Sequence, residues 1–200
     1  PAGEVYRDHV APAAYLQAPG KGGFGCAYYP FEDNVQDSLF SRNDGVVHGT
    51  EGYTAGHSGQ AIDLDGSNDY VMLPENLADC DDFTFAAWVR WDGGDQWQRI
   101  FDFGANSQRY MFLTPLSGGN TLRFEIKNGD SEQQINTSAL SAGQWVHDAV
   151  ISERVIGKLF VNGSLIARNT SMTINPSELG AISNYLGRSH FVQDPLFNGR

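Results

Sequence analysis

The sequence predicts an all-β fold, an antiparallel sandwich of two sheets, and three observations carry that reading. From Cys26 onward, short runs rich in β-branched and aromatic residues recur: CAYYPF, QAIDL, DYVML, FTFAAWVRW, QRIFDFG, RYMFLT, LRFEIKNG, WVHDAVI and KLFVNGSLIA. Turn-forming clusters such as NDG, DGSND, SGGN and NG separate them. The only helical hint is the short PSELG. Many short strands at fairly even spacing with almost no helix point to a sandwich or barrel.

The stretch before these runs reads differently. Residues 1–22 carry several Pro and Gly residues and no sustained period of either 2 or 3.6. They are expected to be a linker or the tail of an upstream domain, leaving 23–200 as one domain. The chain starts at Pro1 with neither Met nor an apolar leader core, which fits a processed or excised piece.

Within the strands, alternation assigns faces, because successive side chains point to opposite sides of a sheet. Phe83, Phe85, Ala87, Val89 and Trp91 share one side of FTFAAWVRW, and Thr84, Ala86, Trp88 and Arg90 share the other. In LRFEIKNG, Leu122, Phe124 and Ile126 oppose Arg123, Glu125 and Lys127, so this strand has one wet, charged face. Such a face on a curved sheet suits an extended polar ligand.

Composition excludes some classes of partner. The formal net charge is −11, with no Lys/Arg cluster, so nucleic acid and anionic membrane surfaces are expected to repel the chain. No apolar run approaches the roughly 18 residues of a membrane helix. Cys26 and Cys80 form an even pair, consistent with one disulfide in an oxidising, extracellular setting or with two buried thiols. The Asn-x-Ser triplets at Asn136, Asn162 and Asn169 arise too readily by chance to decide anything.

Taken in order, YYPFEDNVQDSLFSRNDG, SGQAIDLDGSNDYVMLP, DFTFAAWVRW, WQRIFDFG, YMFLTP, LRFEI, GQWVH, GKLFVNGSLIARNTSM, NPSELG and NYLGRSHFVQDPLFNGR resemble the laminin-G-like, concanavalin A-like domains appended to bacterial and fungal glycoside hydrolases. WQRIFDFG, MFLTP and the late LGRS followed by DP and NG look most similar to the modules of arabinan- and galactan-active enzymes. The resemblance implies a jelly roll and a secreted, sugar-binding module linked to a catalytic domain in the same polypeptide. It also implies a further strand after the closing NG, which the domain is expected to lack.

Chemistry can be weighed residue by residue. Glucanases of this fold need paired carboxylates about 5 Å apart. Their Glu-x-Asp-x-x-Glu signature has no counterpart here, and Glu125 is alone on its strand. GHSGQ lacks the spacing of a nucleophile elbow. His9, His48, His57, His147 and His190 are scattered without metal-ligand spacing. No catalytic residue is therefore expected. Calcium, which takes oxygen ligands, is the better candidate metal. FEDNVQDSLFSRNDG is rich in such groups, and the resemblance implies a structural calcium site there, with Glu32, Asp37 and Asn43 as ligands.

A sugar site needs an aromatic platform for the C–H face of the ring and planar polar groups for its hydroxyls. Trp91, Trp97, Arg99, Asp102, Tyr110, Arg123 and Glu125 are the candidates, drawn from three consecutive strands and the turn before them. Trp91 is expected to be the best exposed aromatic, and Trp88 and Trp145 to be packing residues. The favoured ligand is an oligo- or polysaccharide of arabinan or galactan type. The rival expectation is a domain that packs on a linked hydrolase and binds no sugar.

Overall fold

The structure, a computed structural model, describes residues 14–18, 25–75 and 77–200. Two sheets face each other. The first has six strands in the order β15 (Ser164–Asn169), β14 (Ile156–Val161), β13 (Trp145–Glu153), β8 (Phe83–Arg90), β1 (Ala14–Ala18) and β2 (Gly25–Tyr29). The second has seven, in the order β12 (Ser131–Ser138), β11 (Thr121–Asn128), β10 (Arg109–Thr114), β9 (Phe101–Asn106), β16 (Ser183–Leu186), β7 (Tyr70–Leu73) and β3 (Val46–His48). Two short pairs complete the fold, β4 (Tyr53–Ala55) with β5 (Gln60–Ile62) and β6 (Leu64–Asp65) with β17 (Asn198–Gly199). Every pairing among the described residues is antiparallel. This is the all-β, two-sheet antiparallel sandwich expected from the turn-punctuated runs, of the jelly-roll type that the resemblance implies.

One boundary is corrected. Ala14–Ala18 lies inside the segment read as a linker, yet it pairs with β2 on one side and β8 on the other. The domain therefore begins before residue 23. Five residues with no clear alternation gave no strand signal, because a short strand flanked by two others takes its stability from neighbours more than from its own pattern.

The core lies between the sheets. Alternation in β8 holds throughout: Phe83, Phe85, Ala87 and Val89 are buried and the residues between them are half-buried. Phe85 meets Phe101 at 4.4 Å, and Phe101 meets Phe103 at 4.8 Å, in tilted arrangements that aromatic quadrupoles favour. Leu113, Leu122, Phe124, Ile126, Val150 and Leu159 complete the packing, each contributing about 1.5–3 kcal/mol by leaving water. Turn chemistry sets the register. Asn162 and Gly163, both at positive φ, close β14 onto β15 in the two-residue turn that suits a twisted hairpin.

One inward residue departs from this pattern. On β13, Val146, Asp148, Val150 and Ser152 point inward, so Asp148 sits fully buried opposite Ala87. Neither of its carboxylate oxygens has a hydrogen-bond partner among the described residues. Burial pushes its pKa up to about 7.

Candidate functional site

The outer face of the seven-stranded sheet brings six of the seven sugar-site candidates together. Register does this: Tyr185, Asp102, Phe112, Glu125 and Gln134 stand opposite one another across β16, β9, β10, β11 and β12. One step along, Thr114, Arg123 and Asn136 form a second row. Alternation supplies the face and strand pairing supplies the neighbours.

A strap formed by residues 187–197 crosses the middle of this face. Asp102, wholly buried, accepts hydrogen bonds from the His190 backbone N–H at 3.1 Å and the His190 ring Nδ1 at 2.7 Å. Arg99, also buried, lies 3.4 Å from Asp102 through Nε and donates to Asp194 at 2.8 Å. Its guanidinium stacks 3.9 Å above the Phe112 ring and caps the Trp97 carbonyl at 2.6 Å. Ser189 donates to the same Asp194 oxygen at 2.8 Å. Burial raises the Asp194 pKa, and the Arg99 charge opposes that rise. Each charge thus has an opposite charge and further hydrogen bonds, the condition under which a buried ion pair is sustained. Phe191 adds an edge-on contact to Tyr110 at 5.6 Å.

Under the strap, Tyr110 donates its hydroxyl to Glu125 Oε1 at 2.8 Å, and Arg123 donates to Glu125 Oε2 at 3.2 Å. Burial raises the Glu125 pKa, partly offset by these two donors. Arg99, Asp102, Tyr110 and Glu125 are consequently buried parts of the strap's anchorage and not an open surface. The face stays open beside the strap, at Trp97 and Arg123, both half-buried.

Trp97 is held with care. Its φ is +73°, in the left-handed region that non-glycine residues seldom occupy. Its ring stands edge-on to Phe112, with the Arg99 and Arg123 guanidinium groups 5.6 and 5.4 Å from the indole. Gly118 lies against the ring, where an added Cβ would come within 2.8 Å of Trp97 Cζ2. Around it, Arg123 donates to Asn136 at 2.8 Å, Asn136 donates to Gln134 at 3.2 Å, and Gln96 donates to Asn120 at 3.0 Å. An indole rimmed by guanidinium and amide groups is suited to a ring with one apolar face and several hydroxyls. Sequence reasoning missed Gln134 and Asn136, although alternation in SEQQINTS marks them as a pair, because their register against Arg123 is a long-range fact. It also missed Phe112, His190 and Asp194.

Several expectations are corrected. Trp91 is 6% exposed and donates its ring N–H to Gln98 at 3.0 Å, so it is not an exposed aromatic. It continues the buried side of β8, as the alternation from Phe83 dictates. Trp88 and Trp145, read as packing, instead face outward on the six-stranded sheet and are half-buried. Cys26 and Cys80 are not bonded to each other. Burial, and then the neighbouring Asp79, pushes the Cys80 thiol up to about 12.

The three residues expected to ligate calcium all take part in hydrogen bonds of the turns and hairpin around them. Asp37 and Asn43 meet at 2.9 Å, but Asp37 spends its oxygens on the backbone N–H groups of Tyr28, Leu39 and Phe40. Glu32 accepts from Gln60 N at 3.1 Å. Turn construction uses these residues as an Asx-type scaffold. Among the described residues no group of three or more His, Cys, Asp or Glu side chains is placed to hold a metal. No helix among them is long and apolar enough to cross a membrane.

Comparison with known proteins places this architecture. Domain 4 of AbnA, a GH43 extracellular arabinanase from Geobacillus stearothermophilus, solved with arabinotriose, superposes with a TM-score of 0.75 at 21% identity, covering 94% of this chain and 89% of that one. The CBM40 of the Ruminococcus gnavus IT-sialidase, bound to α2,3 sialyllactose, gives 0.52 at 19% identity over 60% of this chain and 71% of that one. Mouse laminin α1 domains LG4-5 give 0.51 at 16% identity over 75% and 39%. No curated protein matches the chain. The family described as the concanavalin A-like lectin/glucanases superfamily matches residues 65–200, more than half of the sequence, and the chain belongs to that superfamily in its laminin-G form.

Proposed function

We propose that the chain is a non-catalytic carbohydrate-binding module and that its ligand lies across the outer face of the seven-stranded sheet, on Trp97 and Arg123. The observation that carries this reading is the Trp97 indole, kept in a left-handed backbone conformation with Gly118 at one side and Arg123 at another. Backbone strain of about 1–3 kcal/mol persists where surrounding structure and function hold it in place. Trp97 offers the platform. Arg123, Asn136 and Gln134 offer donors and acceptors for neighbouring hydroxyls. Arg99, Asp102, Tyr110 and Glu125 act as the frame, fixing the strap and the Arg123 side chain so that little ordering is left to be done on binding.

The ligand class we favour is a plant arabinan or galactan, in line with the sequence resemblance and with the likeness to an arabinanase domain solved with arabinotriose. In this reading the module is secreted and holds a linked glycoside hydrolase domain near its polysaccharide, raising the local concentration of enzyme. Affinity electrophoresis against arabinan, arabinogalactan and galactan tests it. The wild-type chain should be retarded on at least one of these gels. Trp97→Ala and Arg123→Ala should each relieve the retardation, by about tenfold in affinity or roughly 1.4 kcal/mol. Retardation on none of them would leave the module without this ligand class.

A further inference from the structure

The outer face of the six-stranded sheet carries a second aromatic arrangement, on the opposite side of the sandwich from Trp97. Register places His147 opposite Trp88 and Trp145 opposite Arg90, so the two indoles are diagonal neighbours across β8 and β13. The tip of the β4–β5 hairpin folds over them. His57, from that tip, stacks on Trp88 at 3.5 Å and 6° and meets Trp145 edge-on at 6.4 Å and 76°. His147 closes the other flank of Trp88 at 5.3 Å.

Between hairpin and sheet lies a shallow cavity of about 50 Å³, open at its mouth and lined among others by Phe31, Trp88, Trp145, His57, Gln60 and Arg200. It is built and not incidental. The hairpin tip is closed by the Gly56 N–H to Gly59 carbonyl bond at 3.0 Å and tied to the body by Gln60 N to Glu32 at 3.1 Å. Arg200 is oriented from behind by Asp63 at 3.0 Å and Asp92 at 3.2 Å.

The lining selects a ligand. A purely apolar molecule would cover the Gln60 amide without offering it a partner, at the desolvation cost of a buried polar group. An anion gains little from an Arg200 already shared by two carboxylates, on a chain of net charge −11. A neutral ring with an apolar face and peripheral hydroxyls satisfies both walls, and a hollow this shallow seats part of one ring and not a chain of them. We propose that this cavity is a second carbohydrate site that takes a single sugar residue, its C–H face on Trp145 and its hydroxyls toward Gln60 and Arg200. Two sites on opposite sheets let one module bridge two strands of polysaccharide, with a gain in avidity for the assembled matrix. The site stands apart from Trp97 and does not need the first site to be correct.

The test follows the indole N–H resonances of the chain by NMR during titration with arabinotriose and, separately, β-1,4-galactobiose. A ligand concentration of about 10 mM exceeds a Kd of about 1 mM tenfold. The Trp145 signal should shift saturably with at least one sugar, and it should still do so in the Trp97→Ala chain, where the first site is removed. Gln60→Ala, on an exposed hairpin and away from the core, should weaken the Trp145 titration at least fivefold and leave that of Trp97 unchanged. A Trp145 resonance that does not move with either sugar overturns the second site whatever Trp97 does. A Trp145 shift that disappears with Trp97→Ala, or that is indifferent to Gln60→Ala, overturns it equally.

Discussion

Asp102 and Asp148 are both wholly buried, one on each sheet, and they have opposite fates. Asp102 faces outward and is covered by the strap, where a guanidinium, a backbone N–H and an imidazole N–H converge on it. Asp148 faces the core and has no hydrogen-bond partner among the described residues. The first acid organises the functional face because its desolvation is offset by charge and hydrogen bonds. The second is driven toward its neutral form by burial alone. Burial by itself therefore says nothing about the role of an acid in this sandwich; its partners do.

The largest expected effect comes from breaking the partnered acid. Asp102→Ala leaves Arg99 as a buried charge that retains only Asp194 and frees the strap at His190, at a cost of about 3–5 kcal/mol. Urea denaturation should show this loss, and a variant as stable as the wild type would mean the strap is not anchored there.

Next comes the partnerless acid, with a pH dependence. The folded Asp148 carboxyl holds its proton to about pH 7, against 3.8 for the free group. Protonation thus favours the folded state. This contribution is fully present below about pH 4 and is lost as pH rises to about 7. The gap of about three units corresponds to roughly 4 kcal/mol. Asp148→Val, of similar volume and with nothing to ionise, should raise the melting temperature at pH 8, with a gain that shrinks toward pH 4. A pH-independent difference between the two chains would contradict a raised Asp148 pKa.

Smaller effects fall on the open part of the face. Gly118→Ala pushes a methyl group into the Trp97 ring. It should lower sugar affinity a few-fold, roughly 0.5–1 kcal/mol, with stability nearly unchanged. Unaltered affinity would show that the orientation of the indole is not set by the 117–120 turn.

The same two regions show how much was legible in the sequence. Alternation from Phe83 assigns every residue of β8 to its face, including the outward Trp88, and carries on to the buried Trp91 just after it. Trp91 lies next to the DGGDQ turn, but the period-2 alternation of the strand before it, and not the turn, sets its face. Arg123 and Glu125 were readable for the same reason, as the polar side of LRFEIKNG. The strap was not, because Arg99 and Asp194 stand 95 residues apart and nothing local in either segment encodes their meeting. A buried Asp148 was visible as an acid among apolar neighbours in WVHDAVI, but only the packed core shows that it lacks a partner.

The most direct measurement of where the ligand lies is the dissociation constant for arabinotriose and for galactan oligosaccharides of the wild-type chain, Trp97→Ala, Arg123→Ala and Trp91→Ala, with folding checked by thermal melts. With the ligand on Trp97 and Arg123, binding at the Trp97 face should be about tenfold weaker in the first two variants. In Trp91→Ala, stability falls through the lost core packing, while affinity of the remaining folded chain is retained. Full affinity in Trp97→Ala, or its loss in Trp91→Ala with the fold intact, would contradict that placement.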